Sequence, residues 1–177
     1  KPQQLLPTIL SRCLSLIVNT PSREVGAAWL KQRGVENPES ALAQSGFAPL
    51  LALHWAEEGE GTEELSVLLS SIRHPSQMDA LALADKLQRS APALVVHCLQ
   101  QWCYDLASVK ITGQVRYFPE HMDVLKKLSA NISAMTLLRY QKELQIAKRE
   151  AFHPLNQKLQ FESILLSYML IFSSSGA

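Results

Sequence analysis

Three cysteines, Cys13, Cys98 and Cys103, are the first candidates for metal or redox chemistry. Their spacing argues against both. No C-x-x-C pair occurs and no histidine pair completes a zinc-like set. Cys98 and Cys103 fall on different sides of any helix that carries them, so His97 beside Cys98 does not make a ligand cluster. Free thiols in a reduced cytosolic setting, packed as small apolar side chains, fit better. The acid pairs Glu57/Glu58 and Glu63/Glu64 stand at a joint and at a helix start, where carboxylates favour the helix dipole, so a solvated cap is expected over acid–base catalysis. The basic residues Lys126/Lys127, Arg139/Lys142 and Lys148/Arg149 have no aromatic interleaving, and a solvated face is expected over a nucleic-acid patch. The chain contains no G-x-x-x-x-G-K-[ST], no G-x-G-x-x-G and no H-E-x-x-H. It therefore has no phosphate cradle or zinc catalytic site of its own, is not expected to bind ATP alone, and calls for no cofactor.

The elements that would carry these residues are almost all helical. Leu5 to Val18 reads as short extended segments around the polar break Ser11-Arg12-Cys13, the one stretch expected to be β. Thr20-Pro21 offers an N-cap with proline at the first helical position, after which Val25, Ala28 and Trp29 share a face and Gly34 can end the helix. Asn37-Pro38-Glu39 opens a second short helix that Ser45-Gly46 breaks, and Phe47 to Trp55 forms a third. Glu57-Glu58-Gly59-Glu60-Gly61 is a polar, glycine-containing joint and marks a domain boundary.

Beyond the joint, Leu65, Leu68, Leu69 and Ile72 recur at helical spacing until His74-Pro75 stops them. A helix across Met78 to Gln88 follows. Val95, Cys98, Trp102, Leu106 and Val109 then make one stripe between Pro92 and Val109, with Gly113 at the turn. Pro119 is expected to open one long helix, with Leu125, Leu128, Ile132, Met135 or Thr136, Tyr140, Leu144 and Ala147 on a single face until His153-Pro154. The last helix, from Pro154 to about Phe172, is apolar nearly all round and is expected at the centre of its bundle, with Leu159, Leu165, Leu166 and Leu170 turned inward. The fold class is thus all-α: a short β remnant over 1–19, a small three-helix unit over 20–60, and a bundle of about five helices over 61–177.

Composition limits the roles open to this fold. Of 177 residues, 47% are hydrophobic and 19% charged, which is too apolar for intrinsic disorder. With 17 Lys+Arg against 16 Asp+Glu the net charge is +1, so no global field draws the protein to DNA or to an anionic membrane. The apolar run Ile164 to Phe172 is far shorter than the ~20 residues of a membrane span. Nothing at the start reads as a secretory signal, and Lys1-Pro2-Gln3-Gln4, without an initiator Met, suggests a piece of a longer, cytoplasmic protein.

Two segments carry a resemblance. Leu6-Pro7-Thr8-Ile9-Leu10-Ser11-Arg12-Cys13 resembles the strand and "SRC" motif that close the AAA+ module of clamp-loader subunits. His153-Pro154-Leu155-Asn156-Gln157-Lys158-Leu159-Gln160-Phe161-Glu162 is similar to the H-P-L-N-x-x-L-Q-x-E stretch of collar domains in the delta prime subunits of bacterial DNA polymerase III. The resemblance implies that 1–19 ends an AAA+ module, 20–60 is the helical lid and 61–177 is the collar. It also implies that Arg12 is an arginine finger, reaching in trans into a neighbour's ATP site, where an always-charged, forked guanidinium stabilises the phosphate charge that develops during hydrolysis. Ser45-Gly46-Phe47-Ala48-Pro49-Leu50-Leu51-Ala52-Leu53 is similar to the lid run that carries a sensor arginine in the ATPase subunits, but Ala48 stands in its place. That departure implies a stator, a subunit that does not hydrolyse ATP itself. Its partners would be the gamma/tau and delta subunits, with indirect contact to the sliding clamp and primed DNA and no contact with membrane.

A free-standing helical adaptor, binding an amphipathic peptide between its helices, is the alternative. It requires one deep apolar groove, whereas a collar requires apolar patches on opposed faces.

Overall fold

The computed structural model describes residues 6–14, 16, 19–58, 62–150 and 156–173. Among these, ten α-helices and two short 3₁₀ turns account for the regular structure, and the fold is all-α.

Among the described residues the expected β remnant is not seen. Pro7–Leu10 forms a single helical turn, α1, with Pro7 at its start and Leu6 extended before it. Proline's fixed φ suits the first helical position, and this outweighs the β-leaning pattern of so short a run. Parts of the extended reading, and the whole of Gly59 to Gly61, lie outside the described residues, as do His153-Pro154-Leu155 and the tail after Ser173.

Helices α2 (Arg23–Gln32), α3 (Pro38–Gln44) and α4 (Pro49–Glu58) build the small unit around Leu30, Leu42, Ala52 and Leu53. The cap of α2 is Ser22, whose hydroxyl accepts from the Val25 amide at 3.4 Å, and not Thr20, because Pro21 precedes the helix instead of opening it. The buried face of α2 is Gly26 and Leu30, while Val25 is exposed, so the inward stripe is rotated from the expected one. Glycine permits this close approach: a Cβ at position 26 would stand 3.0 Å from Leu42 Cδ2. Between α3 and α4 the backbone turns through two left-handed residues, Gly46 (φ 71°) and Phe47 (φ 66°). The second is costly for an aromatic residue. It is held by its N–H, which donates to Leu42 O (2.8 Å), and by Arg23 and Arg116, whose guanidinium carbons lie 4.4 and 5.1 Å from the Phe47 ring centre.

The larger core belongs to α5 (Thr62–Ile72), α6 (Ala80–Leu87), α7 (Pro92–Thr112), α8 (Met122–Ala130), α9 (Ala134–Glu150) and α10 (Gln157–Ser173). The central element is α7. It buries Val95, Val96, Leu99, Trp102, Leu106 and Val109 around much of its circumference, and it packs on α5, α8 and α9. The position expected for α10 is thereby corrected. That helix packs on α6 and α9 through Phe161, Ile164, Leu165, Tyr168 and Ile171, and leaves Leu159, Leu166 and Leu170 outward at 62%, 45% and 62% exposure. Apolar residues all round a helix do not prove central burial. Here they serve a core face and an outer face.

The single long helix expected after Pro119 is divided. A 3₁₀ turn at Pro119–His121 leads into α8, and the chain breaks at Asn131 before Ser133 starts α9 by accepting from the Thr136 amide at 3.0 Å. Serine at an N-cap satisfies an amide that a continuous helix would have bonded. Most of the stripe survives the break: Leu125, Ile132, Tyr140, Leu144 and Ala147 are buried and Leu128 and Thr136 half-buried, whereas Met135 is 60% exposed.

Polar side chains tie the bundle at its centre. Trp102 Nε1 donates to Tyr168 Oη (2.9 Å), which donates to Ile72 O (2.8 Å), linking α7, α10 and α5. Tyr140 Oη donates to Ile164 O at 3.1 Å. Burial pushes both tyrosine hydroxyls well above their ordinary range, so they remain neutral donors.

Candidate functional site

Arg12 is exposed, on the turn that follows α1. The turn is closed by its amide bonding to Ile9 O (3.1 Å) and by Ser11 Oγ bonding to Thr8 O (3.2 Å). Cys13 beside it is also exposed, whereas Cys98 and Cys103 are buried in the bundle with thiols pushed up to about 12 by burial. A thiolate is the form that binds metal or attacks disulfides, so these two are inert packing groups. Among the described residues no three His, Cys, Asp or Glu side chains come together as a metal site.

The six basic residues of α8 and α9 are all exposed. Lys148 Nζ makes a long bond to Gln100 Oε1 (3.5 Å), and the others add no aromatic platform. Glu63 and Glu64 occupy the first turn of α5, as expected of a solvated cap. Ala48 directly precedes α4 and is half-buried, with no cation at its position.

The described part of the second resembling segment acts as a set of ties. Asn156 Oδ1 accepts from the Leu159 amide (3.4 Å) at the start of α10. Gln157 Nε2 donates to Ser90 O, Gln160 Nε2 donates to Ala147 O (2.9 Å), and Phe161 is fully buried. Lys158 bridges to Asp85 at 2.7 Å. These residues fix α10 against the α6–α7 connection and the end of α9, and so determine which face of α10 looks outward.

Sequence reading passed over two features. The first is Asp105, fully buried on α7, whose carboxylate accepts amides from Arg116 (2.9 Å), Tyr117 (2.9 Å) and Phe118 (2.8 Å). Burial raises its pKa despite these three bonds and outweighs them. The residue pins the α7–α8 loop, and that loop carries Arg116 and Tyr117 to Phe47 of the small unit. Nothing local in the sequence marks an acid on an apolar stripe for this task.

The second feature is a cleft of about 400 Å³ between the small unit and the bundle. Its walls include Ala52, Trp55, Leu65 and Leu69, with Gln44, Ser66, Ser70, Arg73 and His121 as the polar groups. Gln101 Nε2 donates to Gln44 O (2.7 Å) nearby, and Trp55 stands edge-on to His97. Burial holds both His97 and His121 below the ordinary histidine range. These residues lie far apart in sequence, and only the folded contact between the units assembles them.

Compared with known protein families and with curated proteins, the chain matches none.

Proposed function

We propose that the chain is the lid and collar portion of a stator subunit of a bacterial clamp loader, joined by its bundle to gamma/tau and delta subunits in a cytoplasmic complex that places the sliding clamp on primed DNA. The observation that carries this reading is the distribution of exposed apolar side chains over a core that is already closed. On α10, Leu159, Leu166 and Leu170 are exposed at 62%, 45% and 62%, with the Lys158–Glu162 pair beside Leu159. On α9, Met135, Leu138 and Ile146 are exposed at 60%, 63% and 47%, and on α7 Tyr104 and Ile111 at 43% and 74%. Apolar patches on several helices suit a subunit flanked by neighbours. A helix-binding adaptor requires one long apolar groove, and the cleft between the units is small and carries Arg73 and His121.

In this reading Arg12 acts only in the assembled complex, on a neighbour's ATP. The chain supplies the cation and lacks the phosphate cradle, so it completes a site that it cannot form alone. No helix among the described residues is long and apolar enough to cross a membrane, which fits a partner within a protein assembly.

The test uses the complex built with a version of this chain that carries the whole AAA+ module. Arg12→Lys keeps the charge and loses the fork, so it should leave assembly intact while lowering clamp- and DNA-stimulated ATP turnover. A finger supplies ~10³–10⁵ in rate at its own site, but only one of several sites is touched, so total turnover falls in part and clamp loading falls further. Normal loading by an assembled Arg12→Ala complex would exclude the finger.

A further inference from the structure

The two cores of this chain are separate, and the junction between them is narrow. Among the described residues α2, α3 and α4 pack on one another, and none of them packs broadly on a helix of the bundle. The open cleft of about 400 Å³ lies between Trp55 of the small unit and Leu65 and Leu69 of the bundle. Across a junction with so little apolar contact, one unit moves against the other unless something fastens them.

One loop, residues 114–121, supplies the fastening. Glu120 Oε1 accepts from Ser40 Oγ of α3 (3.3 Å), the Tyr117 ring centre lies 6.1 Å from that of Phe47, and the Arg116 guanidinium carbon lies 5.1 Å from the same ring. The loop itself is held to the bundle. Asp105 accepts the amides of Arg116, Tyr117 and Phe118, and the buried Phe118 ring stands edge-on to Trp102 at 5.5 Å. On the other side of the contact, Phe47 has a φ of 66°, which a bulky residue adopts at a cost and glycine adopts freely. A strained aromatic residue with its ring against the other unit points to a task for the ring that outweighs the preference of the backbone.

We propose that Phe47 and the loop 114–121 form a latch between the units. Phe47 is its peg, the loop is its seat, and Asp105 is a positioning residue that acts through the loop amides. Opening the latch frees the small unit to move as a rigid body and to change the width of the cleft, while both cores stay folded. The hydrogen bond from Gln101 Nε2 to Gln44 O (2.7 Å) then remains as the point about which the unit turns. The latch uses neither Arg12 nor the outer faces of α9 and α10, so it stands or falls apart from the clamp-loader reading.

Backbone ¹⁵N relaxation of the full chain reads the tumbling of each unit separately. In the parent, amides of α2–α4 and of α5–α10 should share one correlation time. Phe47→Gly removes the ring and relieves the backbone at this φ, so the small unit should keep its dispersed signals and lose the common correlation time, tumbling faster than the bundle. Phe47→Tyr keeps the ring and should match the parent. Asp105→Asn should loosen the small unit in the same way from the other side of the contact, and the two Phe47 variants decide the matter even if it fails to fold. A Phe47→Gly chain that still tumbles as one body would overturn the proposal, as would a parent whose units already tumble apart. Collapse of the small unit's dispersed signals in Phe47→Gly would overturn it too, because Phe47 would then be a core residue and not a peg.

Discussion

At the scale of single residues, most of the chemistry in this chain is spent on holding the fold. Asp105 is the clearest case, with three backbone amides converging on one buried carboxylate. Asp105→Asn replaces one acceptor oxygen by a donor that must face an amide N–H, and should cost ~1–3 kcal/mol in chemical denaturation. A loss no larger than that of a surface substitution would mean that the α7–α8 loop is held by other contacts. The sequence could not disclose this role, because the three amides come from residues eleven to thirteen positions away with no side-chain signature. The cysteines were legible for another reason: Cys98 lies on the apolar stripe from Val95 to Val109, and burial of Cys103 on another side of the helix follows from the general tendency of free cysteine to be buried.

At the scale of elements, periodicity located the helices well and their outward faces poorly. The stripe from Val95 to Val109 is buried as read, since apolar residues spaced at three and four must share a face. On α10 the same reasoning fails, because a helix apolar on every side gives periodicity nothing to select. The structure separates two adjacent leucines: Leu165 is fully buried and Leu166 is 45% exposed. Leu165→Ala should therefore cost ~2–5 kcal/mol, whereas Leu166→Ala should change stability by only about 0.5 kcal/mol. Equal losses in thermal or chemical unfolding would show that the outer face of α10 is covered within the monomer. The break at Asn131 was missed because the apolar stripe continues through it, and Ser133, a good cap in sequence, was overlooked.

At the scale of the whole molecule, two cores meet through a few polar and aromatic contacts. Arg23 and Arg116 both approach the Phe47 ring, and Gln101 reaches Gln44 O, so the small unit rests on the bundle through polar and aromatic residues outside the apolar stripes that periodicity reads. Recognition from the two end segments goes beyond what folding alone displays, since the ties made by Asn156, Gln157 and Gln160 would serve any helical bundle. What distinguishes a collar from a self-sufficient bundle is whether the outer apolar faces have partners. The direct measurement is the mass, by light scattering coupled to size exclusion, of the chain mixed with clamp-loader gamma/tau and delta subunits. The account predicts a single complex with one copy of this chain, weakened by Leu166→Ser on the α10 face without loss of the monomer's fold. Separate elution of the chain at monomer mass, with the other subunits unaffected by it, would contradict it.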